Sequence, residues 1–160
     1  MTKKNNGTQK FTNARLCAIQ AIYAREFLDD DFDKIVSRFL MGELGNQLIA
    51  ENDRGMEEYI DMNDVDEKLF TKIVKEYQDK QDAIADTIAH ALPDGMTPDK
   101  LELVVLCILR AGIAEFYANP TLDAPIIINE YTDITRSFYD GSEVRMVNAI
   151  LDKFAKVIRG

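Results

Sequence analysis

The stretch from Pro125 to Lys153 constrains the fold of this chain more than any other part. Its apolar residues recur every three or four positions in two runs, which is the spacing of amphipathic helices rather than the alternation of strands. The first run contains Ile126, Ile127, Tyr131, Ile134 and Phe138, and the second contains Val144, Val147, Ile150, Leu151, Phe154 and Ile158. Between the runs, Asp140 and Gly141 favour a tight corner with positive backbone φ angles. The sequence predicts two packed helices joined by residues 139–142.

The same spacing predicts helices elsewhere in the chain and no convincing strand. The predicted helices cover about 14–27, 32–48, 64–92 and 97–118. Asp64 is a suitable cap for the third, which is either one long helix or two with a kink near Asp79. Thr97 and Pro98 favour the start of the next helix, which is apolar nearly all round, as is typical of the centre of a bundle. We predict an all-α fold with about seven helices in two packed small bundles.

Breaks and charge indicate how the chain is organised. Pro93-Asp94-Gly95 divides residues 12–160 into subdomains of about 12–92 and 93–160, and residues 1–11 lack periodicity and predict a flexible basic arm. The net charge is −9, yet residues 1–25 contain five Lys or Arg side chains and no acidic residue. A basic segment on an acidic body can meet a phosphate backbone locally. The alternative is that these lysines only keep a flexible tail soluble.

The side chains that usually carry catalysis or bind metals form no recognisable motif. His90 is the single histidine, and Cys17 and Cys107 lie far apart in apolar patterns, so we predict that both cysteines are small buried hydrophobes. The acidic run 29–33 is typical of a solvated helix start rather than a cation site. We predict no enzyme, no cofactor and no metal. No apolar run can span a bilayer and the N-terminus lacks a secretory core, which predicts a cytoplasmic protein without a membrane partner.

Three groups of residues, in chain order, resemble the transcription antitermination factor NusB family. They are Arg15, Cys17, Ala18, Gln20, Ala21 and Tyr23 near the N-terminus, Leu109-Arg110 and Glu115 in the centre, and Ile128-Asn129-Glu130, Val147-Asn148 and Leu151-Asp152 near the C-terminus. Met146 and Ala149 stand where the family usually has Phe and Gly. The resemblance implies an all-α protein of two small bundles.

The resemblance also implies an RNA-associated function without catalysis. Members of the family bind boxA-type leader RNA, a single-stranded element of ribosomal RNA operons, together with the ribosomal small-subunit protein NusE, and help the RNA polymerase elongation complex to pass terminators. The predicted RNA contacts are Lys3, Lys4, Lys10, Arg15, Ser142, Arg145 and Met146. The predicted NusE contacts are Tyr23, Asp99 and Glu102, although Tyr23 has equal weight as a core aromatic. Asn129 and Asn148 are predicted to be interior groups, and Arg110, Glu130 and Asp152 to be members of structural ion pairs.

Two departures from the family pattern leave alternatives open. Met146 lacks the aromatic face that could stack on a base, and spaced lysines replace an arginine-dense N-terminus, so we expect strong dependence on the partner for RNA binding. One alternative is a protein-interaction module that has lost RNA binding. Another is the NusB-like domain that precedes a ribosomal-RNA cytosine methyltransferase, which would need several hundred further residues. Self-association into a homodimer through the RNA-binding face, as some family members show, also stays open.

Overall fold

Seven α-helices and one 3-10 turn make up residues 6–42 and 64–160, the part of the chain that this computed structural model describes. The elements are α1 (Asn6–Ala24), α2 (Phe32–Leu40), α3 (Glu67–Asp79), α4 (Gln81–Ala91), the 3-10 turn (Pro98–Lys100), α5 (Leu103–Ala118), α6 (Ala124–Phe138) and α7 (Gly141–Ile158). These residues contain no strand, and the prediction of an all-α fold is confirmed. None of the described helices is both long and apolar enough to cross a membrane.

The central element is α5, as its apolar sequence predicts. Eleven of its residues are buried, and it packs against α1, α3, α4, α6 and α7. It lies close to α7 at Gly112, where an added β-carbon would lie only 3.1 Å from Leu151 Cδ2. A glycine at this position therefore lets two buried helices lie close together.

The first helix begins earlier than its apolar pattern indicates. α1 starts at Asn6, so residues 6–11, predicted as part of a flexible arm, are helical. Packing against the start of α3 supports these turns: the Asp66 amide donates to the Lys10 carbonyl at 3.1 Å, and Asn13 Nδ2 donates to the Asp64 carbonyl at 3.0 Å. Tertiary contacts of this kind order a segment that has no periodicity of its own.

Other boundaries also differ from the predicted ones. The stretch 64–92 forms two helices that meet at Lys80, and the cap of α3 is Asp66 rather than Asp64. Residues 98–100 form the 3-10 turn, and α5 begins only at Leu103. The second helix, predicted over about 32–48, ends at Leu40 in the structure. Residues 43–48 lie outside the described part of the chain.

The corner between α6 and α7 is shorter than predicted and contains no residue with positive φ. Tyr139 has φ −138° and ψ 163°, Asp140 has φ −91° and ψ −169°, and Gly141 already belongs to α7. Two extended residues therefore reverse the chain, and the prediction of left-handed geometry at Asp140 and Gly141 is wrong.

Both cysteines lie in the core, as predicted. Cys17 and Cys107 are not joined in a disulfide and have no exposed surface, and burial raises the pKa of each thiol to about 12. Neutral thiols in such surroundings act as small apolar side chains and are poor nucleophiles.

Candidate functional site

A buried hydrogen-bonded group joins three helices near the N-terminal half of α1. Arg15 Nε donates to Glu115 Oε1 at 2.7 Å, and Arg15 Nη2 donates to Glu115 Oε2 at 2.8 Å. The Tyr131 hydroxyl donates to the same Oε1 at 2.8 Å. Arg15 is 5% exposed and Glu115 and Tyr131 are fully buried. A bidentate pair with a further donor satisfies the carboxylate inside the protein.

Arg15 stays charged although its side chain is buried. Burial acts to lower the pKa of Arg15, but the hydrogen bonds and charge of Glu115 raise it overall, so the guanidinium stays charged. Burial, and then the charge of Glu115, raise the pKa of Tyr131. Arg15 Nη1 also lies 3.5 Å from Glu130 Oε2. The guanidinium is therefore engaged within the fold and is not presented to a phosphate, in contrast to the RNA contact predicted for Arg15.

The sequence reasoning missed the partners of Arg15. Glu115 is an acidic residue on the nearly all-apolar α5, and Tyr131 lies on the apolar stripe of α6. A lone carboxylate on a helix that is otherwise apolar requires a buried cation or donor, and that signal could have identified the group.

The predicted RNA residues of the corner lie together on the first turns of α7. Ser142 and Arg145 are exposed, whereas Met146 is partly buried and packs against the core. The Ser142 hydroxyl donates to Glu143 Oε2 at 3.0 Å. The Arg145 guanidinium lies over Gly141, where an added β-carbon would come within 2.8 Å of Arg145 Nη1. This surface presents a cation and a hydroxyl but only part of the Met146 side chain.

Two of the predicted NusE residues, Glu102 and Tyr23, lie near Tyr139, which the sequence reasoning did not single out. The Tyr139 hydroxyl donates to Glu102 Oε2 at 2.8 Å, and Tyr23 is near enough to act on Tyr139 electrostatically. Burial, and then the hydrogen bond to Glu102, raise the pKa of Tyr139. Tyr23 is half-buried with its ring 4.8 Å from that of Phe27, which is 64% exposed. Asp99 is exposed on the 3-10 turn just before Glu102.

Lys10 lies at a different place, beside a groove between α1, α3 and α6. It is exposed on α1, and Lys3 and Lys4 lie outside the described residues. The groove has a volume of about 420 Å³. It is lined by Thr8, Phe11, Arg15, Asp66, Lys68, Leu69, Lys72, Asn119, Leu122, Ile126 and Glu130. The predicted RNA residues therefore form two groups, one on α1 and one at the corner. α1 contacts α6 at Glu130 through Thr12, whereas the corner comes after the C-terminal end of α6.

The remaining predicted polar roles divide into two outcomes. Arg110, Glu130 and Asp152 are confirmed as ion-pair members, with Arg110 Nη1 at 2.9 Å from Glu26 Oε1 and Lys156 Nζ at 3.0 Å from Asp152 Oδ2. Asn129 and Asn148 are exposed, so the prediction that they are interior groups is wrong. Each lies on the polar side of its helix, between buried positions that face the core.

Residues 6–42 and 64–160 contain no group of three or more His, Cys, Asp or Glu side chains that could hold a metal ion. His90 is exposed, with Nδ1 at 2.7 Å from the Asp86 carbonyl oxygen one turn earlier.

This chain is similar to a protein family and to several of its named members. The model of the NusB family matches residues 12–156. Transcription antitermination protein NusB of Rhodospirillum rubrum is 33% identical over 98% of this chain and 89% of its own length. The protein of the same name from Granulibacter bethesdensis is 32% identical over 97% of this chain and 93% of its own length.

Solved structures show the same fold at lower sequence identity. NusB of T. maritima superposes with a TM-score of 0.70 at 19% identity, covering 97% of this chain and 93% of that one. A crystal structure of antitermination factors NusB and NusE in complex with double-stranded RNA contains a chain with a TM-score of 0.67 at 16% identity, covering 91% of this chain and 96% of that one.

Proposed function

Because the chain belongs to the NusB family, we propose that it is a transcription antitermination factor that binds single-stranded boxA-type RNA together with the ribosomal protein NusE. In this role it acts in the cytoplasm on the RNA polymerase elongation complex over ribosomal RNA operons, and it catalyses no reaction. The observation that carries the proposal is the match to the Rhodospirillum rubrum protein over nearly the full length of both chains.

The proposed RNA contacts are the exposed cations and the polar groups beside them. Lys10 lies on α1, and Arg145 and Ser142 are exposed at the start of α7. Lys3 and Lys4 precede Lys10 on a segment without acidic residues. Such side chains position a phosphate backbone, while Met146 gives only apolar contact to a base.

The proposed NusE surface is formed by Tyr23, Asp99, Glu102 and the exposed ring of Phe27. The Tyr139 hydrogen bond holds the Glu102 carboxylate at this surface. An exposed aromatic ring and two carboxylates are suitable contacts for a basic ribosomal protein, because the ring gives buried area and the carboxylates give charge complementarity.

One observation favours the second candidate function, a protein-interaction module that does not bind RNA. One of the predicted RNA contacts is withdrawn from the surface, because Arg15 is buried and paired with Glu115, and another, Met146, exposes only part of its side chain. The methyltransferase alternative has less support, since the relatives that cover the chain are named antitermination proteins and the chain spans about nine-tenths of their length.

Fluorescence anisotropy of a labelled boxA-type RNA tests the proposal. The RNA is titrated with the protein alone, with NusE alone and with both proteins, at several salt concentrations. We expect tight binding only with both proteins, and a log–log salt slope of about −2 to −3.5 for roughly three to five phosphate contacts to a single strand. A scrambled RNA of equal length is the control for sequence preference.

Two results would count against the proposal in different ways. If NusE binds the protein but RNA binds neither to the protein alone nor to the protein with NusE, the protein is an interaction module. If NusE also fails to bind, both proposed surfaces are wrong, and neither the RNA nor the partner assignment survives.

A further inference from the structure

We propose that the groove between α1, α3 and α6 is a second RNA contact, in which Lys68 and Lys72 bind phosphates and Phe11 stacks on a base. This inference rests on the proposed function and extends it to a surface away from the corner of α7. None of these three residues was predicted as a contact from the sequence.

A line of lysines on α3 provides the charge. Lys68, Lys72 and Lys75 are spaced by four and three residues, so they lie on one face of the helix, and all three are exposed. None of them forms an ion pair or hydrogen bond in the described part of the chain. The Asp66 amide donates to the Lys10 carbonyl, so this line of lysines begins next to Lys10, the exposed lysine of α1.

The acidic groups that line the groove are already engaged. The Asp66 carboxylate caps α3 by accepting from the Leu69 amide at 2.8 Å. The Glu130 carboxylate faces Arg15 at 3.5 Å and accepts from the Thr12 hydroxyl at 3.3 Å. Lys68 and Lys72 have no such partners among residues 6–42 and 64–160, and they are therefore the groups in this groove that remain available to a phosphate.

The apolar part of the groove suits a nucleobase. Phe11 is 45% exposed and Ile126 is 46% exposed, and both side chains line the groove. The volume of about 420 Å³ is within the range of sites for small molecules and accommodates an unstacked base. An aromatic ring flanked by lysines is the usual combination in proteins that bind single strands.

Continuity with Lys10 favours RNA over an acidic peptide as the occupant. A peptide could also pair with Lys68 and Lys72, but an RNA held at Lys10 passes directly beside these lysines. The distance along α6 from Glu130, which contacts Thr12, to the end of the helix at Phe138 is about 12 Å at 1.5 Å per residue. One RNA strand can therefore reach both the corner and the groove.

The test compares matched variants in the anisotropy assay with NusE present, using boxA-type RNA with and without flanking single-stranded nucleotides. The variant K68Q/K72Q removes two charges from the groove, and the control K34Q/K153Q removes two charges from exposed lysines on α2 and α7. We expect roughly tenfold weaker binding of the longer RNA by K68Q/K72Q, with a salt slope smaller by about 1.4. K68R/K72R keeps the charge and should retain binding, and F11L should weaken binding about fivefold or more through loss of the stacking ring.

The outcomes separate this inference from the proposed function. If the unaltered protein binds RNA with NusE and K68Q/K72Q binds it with the same affinity and slope as K34Q/K153Q, the groove is not an RNA contact although the antitermination role stands. If K68Q/K72Q loses NusE instead of RNA, the groove binds a protein and the inference is overturned. If the unaltered protein binds no RNA in any mixture, both fall. Circular dichroism and thermal melting confirm that each variant is folded.

Discussion

At the scale of single residues, Arg15, Glu115 and Tyr131 tie α1, α5 and α6 together. Their hydrogen bonds of 2.7 to 2.8 Å lie where none of the three residues is more than 5% exposed. A buried pair of this kind contributes little over an apolar replacement, but loss of one partner leaves the other charge without compensation. The position of Arg15 in the family's first-helix motif therefore has a structural explanation that does not involve RNA.

We expect Glu115→Gln to lower the free energy of unfolding by about 3 to 5 kcal/mol, because it leaves the buried Arg15 guanidinium without a counter-charge. The double variant Arg15→Met with Glu115→Leu should be less destabilised than Glu115→Gln alone, because it removes both charges. Urea unfolding followed by circular dichroism measures both. The control is Arg136→Gln, which breaks the exposed 2.6 Å pair with Asp133 and should cost about 0.5 kcal/mol or less. Equal effects of Glu115→Gln and Arg136→Gln would contradict the buried-pair argument.

At the scale of elements, periodicity predicts which segments are helical but not where they end. The apolar spacing gives the correct type for every described helix, and it identifies α5 as the centre. The boundaries depend on contacts that spacing does not contain: packing on α3 extends α1 back to Asn6, and the chain breaks at Lys80, where α4 turns to pack on α5 and α7. Tyr139 was missed as a site residue for the same reason, because Glu102 is 37 positions away in the chain.

The cap of α3 gives a direct test of one such boundary. Asp66 Oδ1 accepts from the Leu69 amide, so Asp66→Ala should lower the free energy of unfolding by about 1 kcal/mol. Asp64→Ala should change it by about 0.5 kcal/mol or less, because Asp64 is exposed and contributes its backbone carbonyl, which the substitution keeps, to Asn13. Thermal or urea unfolding of both variants decides the matter. A larger effect at Asp64 would mean that the helix starts at the residue that the sequence indicates.

At the scale of the whole molecule, charge is divided between separate surfaces of a protein with a net charge of −9. Lys68 and Lys72 line one groove with Lys10 beside it, whereas Asp99 is exposed on the 3-10 turn and Glu102, just after that turn, accepts from Tyr139. The contacts proposed for RNA and for NusE are different residues, although Arg145 follows Tyr139 closely in the chain. The two proposed partners should therefore bind at the same time, and once NusE is saturating, a charge change on the NusE surface should have little effect on the affinity for RNA.

Separate charge variants test this independence. Asp99→Asn with Glu102→Gln removes two negative charges, while the new side-chain amide can still accept from the Tyr139 hydroxyl, and we expect about fivefold weaker binding of NusE at low salt, mostly through slower association. Lys10→Gln with Arg145→Gln should weaken the binding of RNA to the preformed complex by roughly tenfold and leave NusE binding unchanged. Surface plasmon resonance with immobilised NusE and anisotropy with labelled RNA measure the two affinities on the same preparations. If the acidic pair also controls RNA affinity once NusE is saturating, the surfaces are coupled, and the charge separation seen in the fold does not correspond to separate binding functions.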